Sequence, residues 1–120
     1  MPTSNRDAGF LWDMVNAAKT VCAFTQGVRF PDYEKNRMMQ LAAEREVEII
    51  GEAARNVSQT FKDAHPEIPW TGIVAQRHVL AHEYGTIRLD KMWLLVTKHI
   101  PELVARLEPL IPPPPPEAEA

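Results

Sequence analysis

The stretch QRHVLAHEYG, residues 76 to 85, sets Arg77, His78, His82 and Tyr84 among Val79, Leu80 and Ala81. Those four polar side chains can do chemistry that a packing face does not need. A histidine titrates near neutrality and can take or give a proton. An arginine presents a planar fork of donors that fits a phosphate and stabilises charge developing on it. His78 and His82 stand four residues apart, a spacing that can ligate a metal, but no nearby carboxylate or cysteine completes a set, and His65 and His99 lie elsewhere. Neither a metal nor a cofactor is therefore expected.

Geometry sharpens the question. On a straight helix at about 100° per residue, Ile73, Leu80 and Tyr84 share one stripe, and Arg77 falls within about 40° of its centre. Arg77 then points toward the packing face, where an unpartnered guanidinium costs about several kcal/mol. His82 comes out about 140° from Arg77 by the same rule. A single straight helix does not bring the two together. Either the helix frays near Gly85, or a second subunit supplies another copy of the pair, as a two-fold dimer does automatically. A plainer reading stands beside the functional one: Arg77 as a structural ion-pair residue, His82 as a surface histidine, and Tyr84 as an aromatic packed at a helix end.

The elements that must position these residues read as helices. Ser4, Asn5 or Asp7 can cap the first, in which Phe10, Leu11, Met14, Val15, Ala18, Val21 and Cys22 recur at helical spacing, and Gln26-Gly27 closes it. Pro31 opens a short second segment, PDYEKNR. Ala43, Val47, Ile50, Ala54, Val57 and Phe61 then form one continuous seam, with Gly51 as a point of close helix approach. Pro66 and Pro69 in HPEIPW end that helix. A fourth helix is expected from Pro69–Thr71 to Gly85. A fifth carries Leu89, Met92, Trp93, Val96 and Ile100, after which Pro101 either kinks it or starts another short helix. No stretch alternates as a strand.

At 120 residues, 45% hydrophobic and 24% charged, the chain suits one globular domain. A net charge of -3 gives no whole-protein attraction to nucleic acid or to an anionic membrane, so any nucleic-acid site would need a local basic patch. Arg88 and Lys91 could supply it, or could be ordinary solvated side chains. Cys22 stands alone and excludes an internal disulfide, which fits a reducing cytoplasm. The N-terminus has no signal-peptide pattern, and no apolar run approaches the ~20 residues of a membrane helix. Residues 1–110 read as the domain. Residues 111–120, with five consecutive prolines, read as a disordered proline-rich tail.

The segment EIIGEAARNVSQTFKDAHPEIPWTGIVAQRHVLAHEY resembles the HepT branch of the HEPN superfamily, and FLWDMVNAAKTVCAFTQG resembles that family's opening helix. The specific motifs are IIGEA, HPEIPW, and an arginine, four residues, a histidine, any residue, then a tyrosine: here Arg77, His82 and Tyr84. The position after the arginine is most often Asn in this branch and is His78 here. The resemblance implies an all-α, HEPN-like bundle of about five helices that forms a two-fold homodimer and cleaves RNA without a metal. It further implies a toxin whose partner is a minimal nucleotidyltransferase antitoxin, able to transfer AMP to Tyr84. Arg77 and His82 would be catalytic: His82 the general acid/base, Arg77 the phosphate holder. His78 would be auxiliary. The products would be a cyclic phosphate and a free 5′-OH. The competing expectation is a non-catalytic helical module that binds a nucleotidyltransferase or a nucleotide.

Overall fold

The computed structural model describes residues 4–82 and 89–112, excepting the side chains of 77–82. Within them the chain is helical, with no strand among the described residues. Its seven α-helices are α1 (Asn5–Thr25), α2 (Phe30–Glu34), α3 (Arg37–Asn56), α4 (Gln59–Ala64), α5 (Trp70–His82), α6 (Leu89–Leu94) and α7 (Ile100–Leu107). A π turn, Leu95–His99, joins α6 to α7, and a 3-10 turn, Glu108–Leu110, follows α7.

Of the three candidate caps for α1, Ser4 is the one used: its hydroxyl accepts the Asp7 N–H at 3.0 Å. Leu11, Met14, Val15, Ala18 and Val21 are buried on one face of the helix. The chain leaves α1 through Gln26 and then Gly27, whose φ of 75° is the left-handed conformation that favours glycine. The second helix is shorter than PDYEKNR suggested. It opens one residue earlier, at Phe30, and stops at Glu34, because Asn36 is committed as the cap of α3 and accepts the Met39 N–H at 3.0 Å. The buried Gln40 side chain donates to the carbonyls of Tyr33 at 2.9 Å and Glu34 at 3.1 Å, satisfying the end of α2.

The long seam is buried as expected, from Ala43 through Phe61, and Gly51 is buried in α3. The helix carrying it is not continuous. It ends at Asn56, and Ser58 starts α4 by accepting the Phe61 N–H at 3.2 Å. The Ser58 side chain competes with the helix for a backbone donor, as a serine at such a position does. Counting α3–α4 and α6–π–α7 as single interrupted rods recovers the five expected.

Of the two outcomes open at Pro101, the second holds: a short helix, α7, starts there and carries Leu103, Val104 and Leu107. Proline lacks an N–H and its ring crowds the carbonyl four residues back. The preceding turn therefore widens: Ile100 N–H bonds back to Leu95 O, five residues away, and Pro101 sits in the first turn of α7. Met92, Val96, Ile100, Leu103 and Leu107 stay buried along the whole rod. Leu110 and Ile111 still pack against the core. The core lies where α1, α3, α5 and α7 meet, with α2 held against α6 by the Tyr33–Trp93 ring pair at 4.9 Å. No helix among the described residues is long and apolar enough to cross a membrane.

Candidate active site

The start of α5 is fixed firmly. Phe61 stacks near His65 at 4.4 Å and meets Trp70 edge-on at 6.0 Å. The Trp70 indole N–H donates to the His65 carbonyl at 3.0 Å. Ile68 is buried, and Arg106 of α7 donates to the Glu67 carbonyl at 3.3 Å. HPEIPW is thus a clamp between α4, α5 and α7. It sets where α5 begins and, through the rise of about 1.5 Å per residue, where its far end lies.

That far end carries the motif. Arg77, His78 and His82 occupy the last two turns of α5, which is α-helical through His82. The helix does not draw Arg77 and His82 together by fraying before His82. Their positions stay about 140° apart around the axis. Tyr84, Gly85 and Arg88 lie outside the described residues, as do the side chains of Arg77, His78 and His82. Of the two candidate basic neighbours, Lys91 is exposed at the end of α6.

Beside α5 runs a groove of about 200 Å³. Its walls are apolar: Val47 and Ile50 from α3, Ile73 from α5, and Leu95, Ile100 and Leu103 from the last rod. Gln76, the residue before Arg77, borders it. Nothing in the sequence marked these positions as one site, because they come from widely separated segments. Among the described residues no three His, Cys, Asp or Glu side chains gather as a metal-binding group.

One further polar feature lies on the α2 side. Tyr33 is fully buried, and its hydroxyl has no hydrogen-bond partner among the described residues. Burial, and then the nearby Glu44 carboxylate, push its pKa up to about 12. Burial also raises Glu44, an effect opposed by Arg37 and reinforced by Glu48.

With this geometry in hand, comparison places the chain. The family model described as "Ribonuclease HepT-like" matches residues 14–110. The chain belongs to the ribonuclease HepT-like family. The HepT-like segment thus runs from within α1 to the 3-10 turn after α7 and includes the whole of α5. Among HepT-like relatives, "Probable ribonuclease HepT" of Thermococcus cleftensis is 36% identical over 110 residues, covering 92% of this chain and 98% of the relative. "Putative RNase MJ1380" of Methanocaldococcus jannaschii is 33% identical over 106 residues, covering 88% and 97%. No solved structure matches.

Proposed function

We propose that this HepT-like chain is a metal-independent RNA endonuclease and the toxin of a toxin–antitoxin pair. The observation that carries the reading is the family match across residues 14–110 together with Arg77 and His82 on the end of α5, in the motif's spacing. The names of the two relatives point to the same activity.

RNA brings its own nucleophile. In the proposed step His82 takes the proton of a 2′-OH as its oxygen attacks the adjacent phosphorus. Arg77 holds the phosphate oxygens and stabilises the charge that builds there. The P–O5′ bond breaks and the leaving oxygen takes the proton back from the His82 imidazolium, giving a 2′,3′-cyclic phosphate and a free 5′-OH. His78 adds a polar contact. A two-fold dimer answers the 140° separation by facing Arg77 of one protomer with His82 of the other across a shared cleft. The partner antitoxin is a minimal nucleotidyltransferase that adds AMP to Tyr84, and the protein works in the cytoplasm.

The test is cleavage of RNA by purified protein with and without a chelator, beside Arg77→Ala and His82→Ala. Cleavage that survives chelation, vanishes in both variants and leaves cyclic-phosphate ends supports the reading. Cleavage that needs added Mg²⁺ overturns the mechanism.

A further inference from the structure

We propose that the groove between α3, α5 and α7 binds one unpaired base of the RNA, and that Glu102 makes it select guanine. The inference rests on the ribonuclease reading above and extends it to substrate choice. Three observations lead to it.

The first is place. Gln76 borders the groove and directly precedes Arg77 on α5. The groove therefore opens within one helical turn of the position assigned to the phosphate. A nucleotide whose phosphate is held there has its base within reach of the groove.

The second is the shape and chemistry of the walls. A space of about 200 Å³ lined by aliphatic side chains accepts one flat ring system and little more. Single-stranded RNA is recognised by unstacked bases that enter such apolar sites and expose their Watson–Crick edges to polar groups.

The third is the rim. Gln76, His99, Glu102 and Arg106 are its polar residues. Arg106 donates to the Glu67 carbonyl, a neutral partner, and has no ion pair among the described residues. Its positive charge stays available to a backbone phosphate. The Glu102 carboxylate likewise has no ion pair among the described residues, and a carboxylate only accepts. Guanine alone among the four bases offers two adjacent donors, N1–H and N2–H, that a carboxylate receives side by side. The Gln76 amide can donate to guanine O6. Adenine and cytosine offer a single amino group beside an acceptor that a carboxylate repels, and uracil offers one N–H between two carbonyls.

The test is calorimetric titration of the intact protein with guanosine, adenosine, cytidine and uridine monophosphates. None contains a cleavable internucleotide bond, so the result does not depend on catalysis. Guanosine monophosphate is expected to bind about tenfold or more tightly than the others, the discrimination of a paired hydrogen bond. Glu102→Gln should remove that preference. Gly72→Leu, with its fold checked by circular dichroism, should abolish binding of all four, since the groove includes Gly72 and a Cβ there meets nothing within 4 Å. Glu34→Gln, on exposed α2, is the control and should bind normally. Equal binding of all four nucleotides, or a preference that survives Glu102→Gln, overturns the proposal. So does a Gly72→Leu protein whose nucleotide binding is intact while its oligomeric state changes: that result assigns the groove to an interface between copies. Failure of the protein to cleave RNA, with guanosine selection intact, would count against the ribonuclease reading and not against the groove.

Discussion

Asp7, on the first turn of α1, holds Ser58, the cap of α4, across 51 residues of sequence. One carboxylate oxygen accepts the Ser58 N–H at 2.8 Å and the other accepts its hydroxyl at 2.6 Å. The same hydroxyl oxygen accepts the Phe61 N–H at 3.2 Å. Two helix starts are thereby fastened to each other, and the chain turns between them toward HPEIPW and α5.

Removing that carboxylate should be costly. Asp7 is buried, and Asp7→Ala leaves the Ser58 N–H without its partner. The expected loss is about 2–4 kcal/mol, from two hydrogen bonds to a charged acceptor and one stranded donor. Ser58→Ala should cost less, about 1–2 kcal/mol, mostly as a lost cap. Urea unfolding of both variants and the double variant measures this. Because the residues touch, the two losses should fall short of adding by about 1 kcal/mol. An Asp7→Ala protein within ~0.5 kcal/mol of wild type, the range of an ordinary surface change, would refute the fastening role.

How far this arrangement is legible in the sequence differs from element to element. The seam from Ala43 to Phe61 is legible because burial leaves a period in the residues. The break within it is not, because hydrophobic spacing records which side chains are buried and not whether the backbone stays helical between them. Ser58 carries that information, but only its pairing with Asp7 makes it decisive. At Pro101 the sequence poses a conflict and offers two outcomes. The short helix is the one taken, and the π turn before it, which the sequence did not mark, leaves Met92, Val96, Ile100 and Leu103 all buried. The motif is visible by residue type and spacing alone. The groove is not, since its rim joins Gln76 to Glu102 and Arg106, residues brought near only because α5 packs on α3 while α7 packs on α1, itself packed on α3.

Tyr33 offers a test by pH. Its hydroxyl is buried without a partner among the described residues, and its pKa is raised above the ordinary 10 to about 12, first by burial and then by Glu44. In the unfolded chain the phenol ionises near pH 10, while the folded protein holds its proton. Between those values the native state binds more protons than the unfolded state, so stability falls as pH rises from about 10 to 12. Below pH 10 this group contributes no slope. Tyr33→Phe should flatten that alkaline decline in denaturant unfolding. At pH 7 it should be neutral or slightly stabilising, because it removes an unsatisfied buried hydroxyl and keeps the ring against Trp93. An unchanged alkaline slope in the Phe variant would show that other groups produce it.

Two glycines should respond in opposite directions to alanine. Gly9 lies within α1, and a Cβ there meets nothing within 4 Å. Gly9→Ala should stabilise by about 0.5–1 kcal/mol through helix propensity and a less free unfolded chain. Gly27 also has open space but a φ of 75°. Gly27→Ala should destabilise by about 1 kcal/mol, since the left-handed region costs a side chain that much. Paired thermal melts compare them directly, and two shifts of the same sign would contradict the argument.

The proposed chemistry predicts a particular pattern of loss. Arg77→Ala and His82→Ala should each lower RNA cleavage about 10²–10⁴-fold, the range for losing a positioned acid/base or a charge-stabilising donor. Both proteins should remain folded by circular dichroism and keep the wild-type oligomeric state by light scattering. Growth arrest on expression should disappear with either change. A His82→Ala protein that cleaves RNA at the wild-type rate would remove His82 from the mechanism.

Tyr84 carries the last expectation. It stands seven residues after Arg77, two helical turns, so on a helix continued that far the two positions lie nearly in line. It also directly precedes Gly85, a residue suited to ending a helix, where a hydroxyl can be reached by a second enzyme. In the proposed regulation a nucleotidyltransferase lets the Tyr84 oxygen attack the α-phosphorus of ATP, and pyrophosphate leaves. The phosphate now attached to the tyrosine competes with RNA for the Arg77 guanidinium, and the adenosine adds bulk to the cleft. Tyr84→Phe deletes only the accepting oxygen and keeps the ring. It should therefore keep the wild-type oligomeric state, gain no mass when incubated with the partner enzyme and ATP, and escape neutralisation, with some loss of activity where the hydroxyl also touches substrate. Intact-mass measurement reads the result. A wild-type mass that does not change, or an equal gain in the Phe variant, would eliminate Tyr84 as the acceptor and leave neutralisation to binding alone.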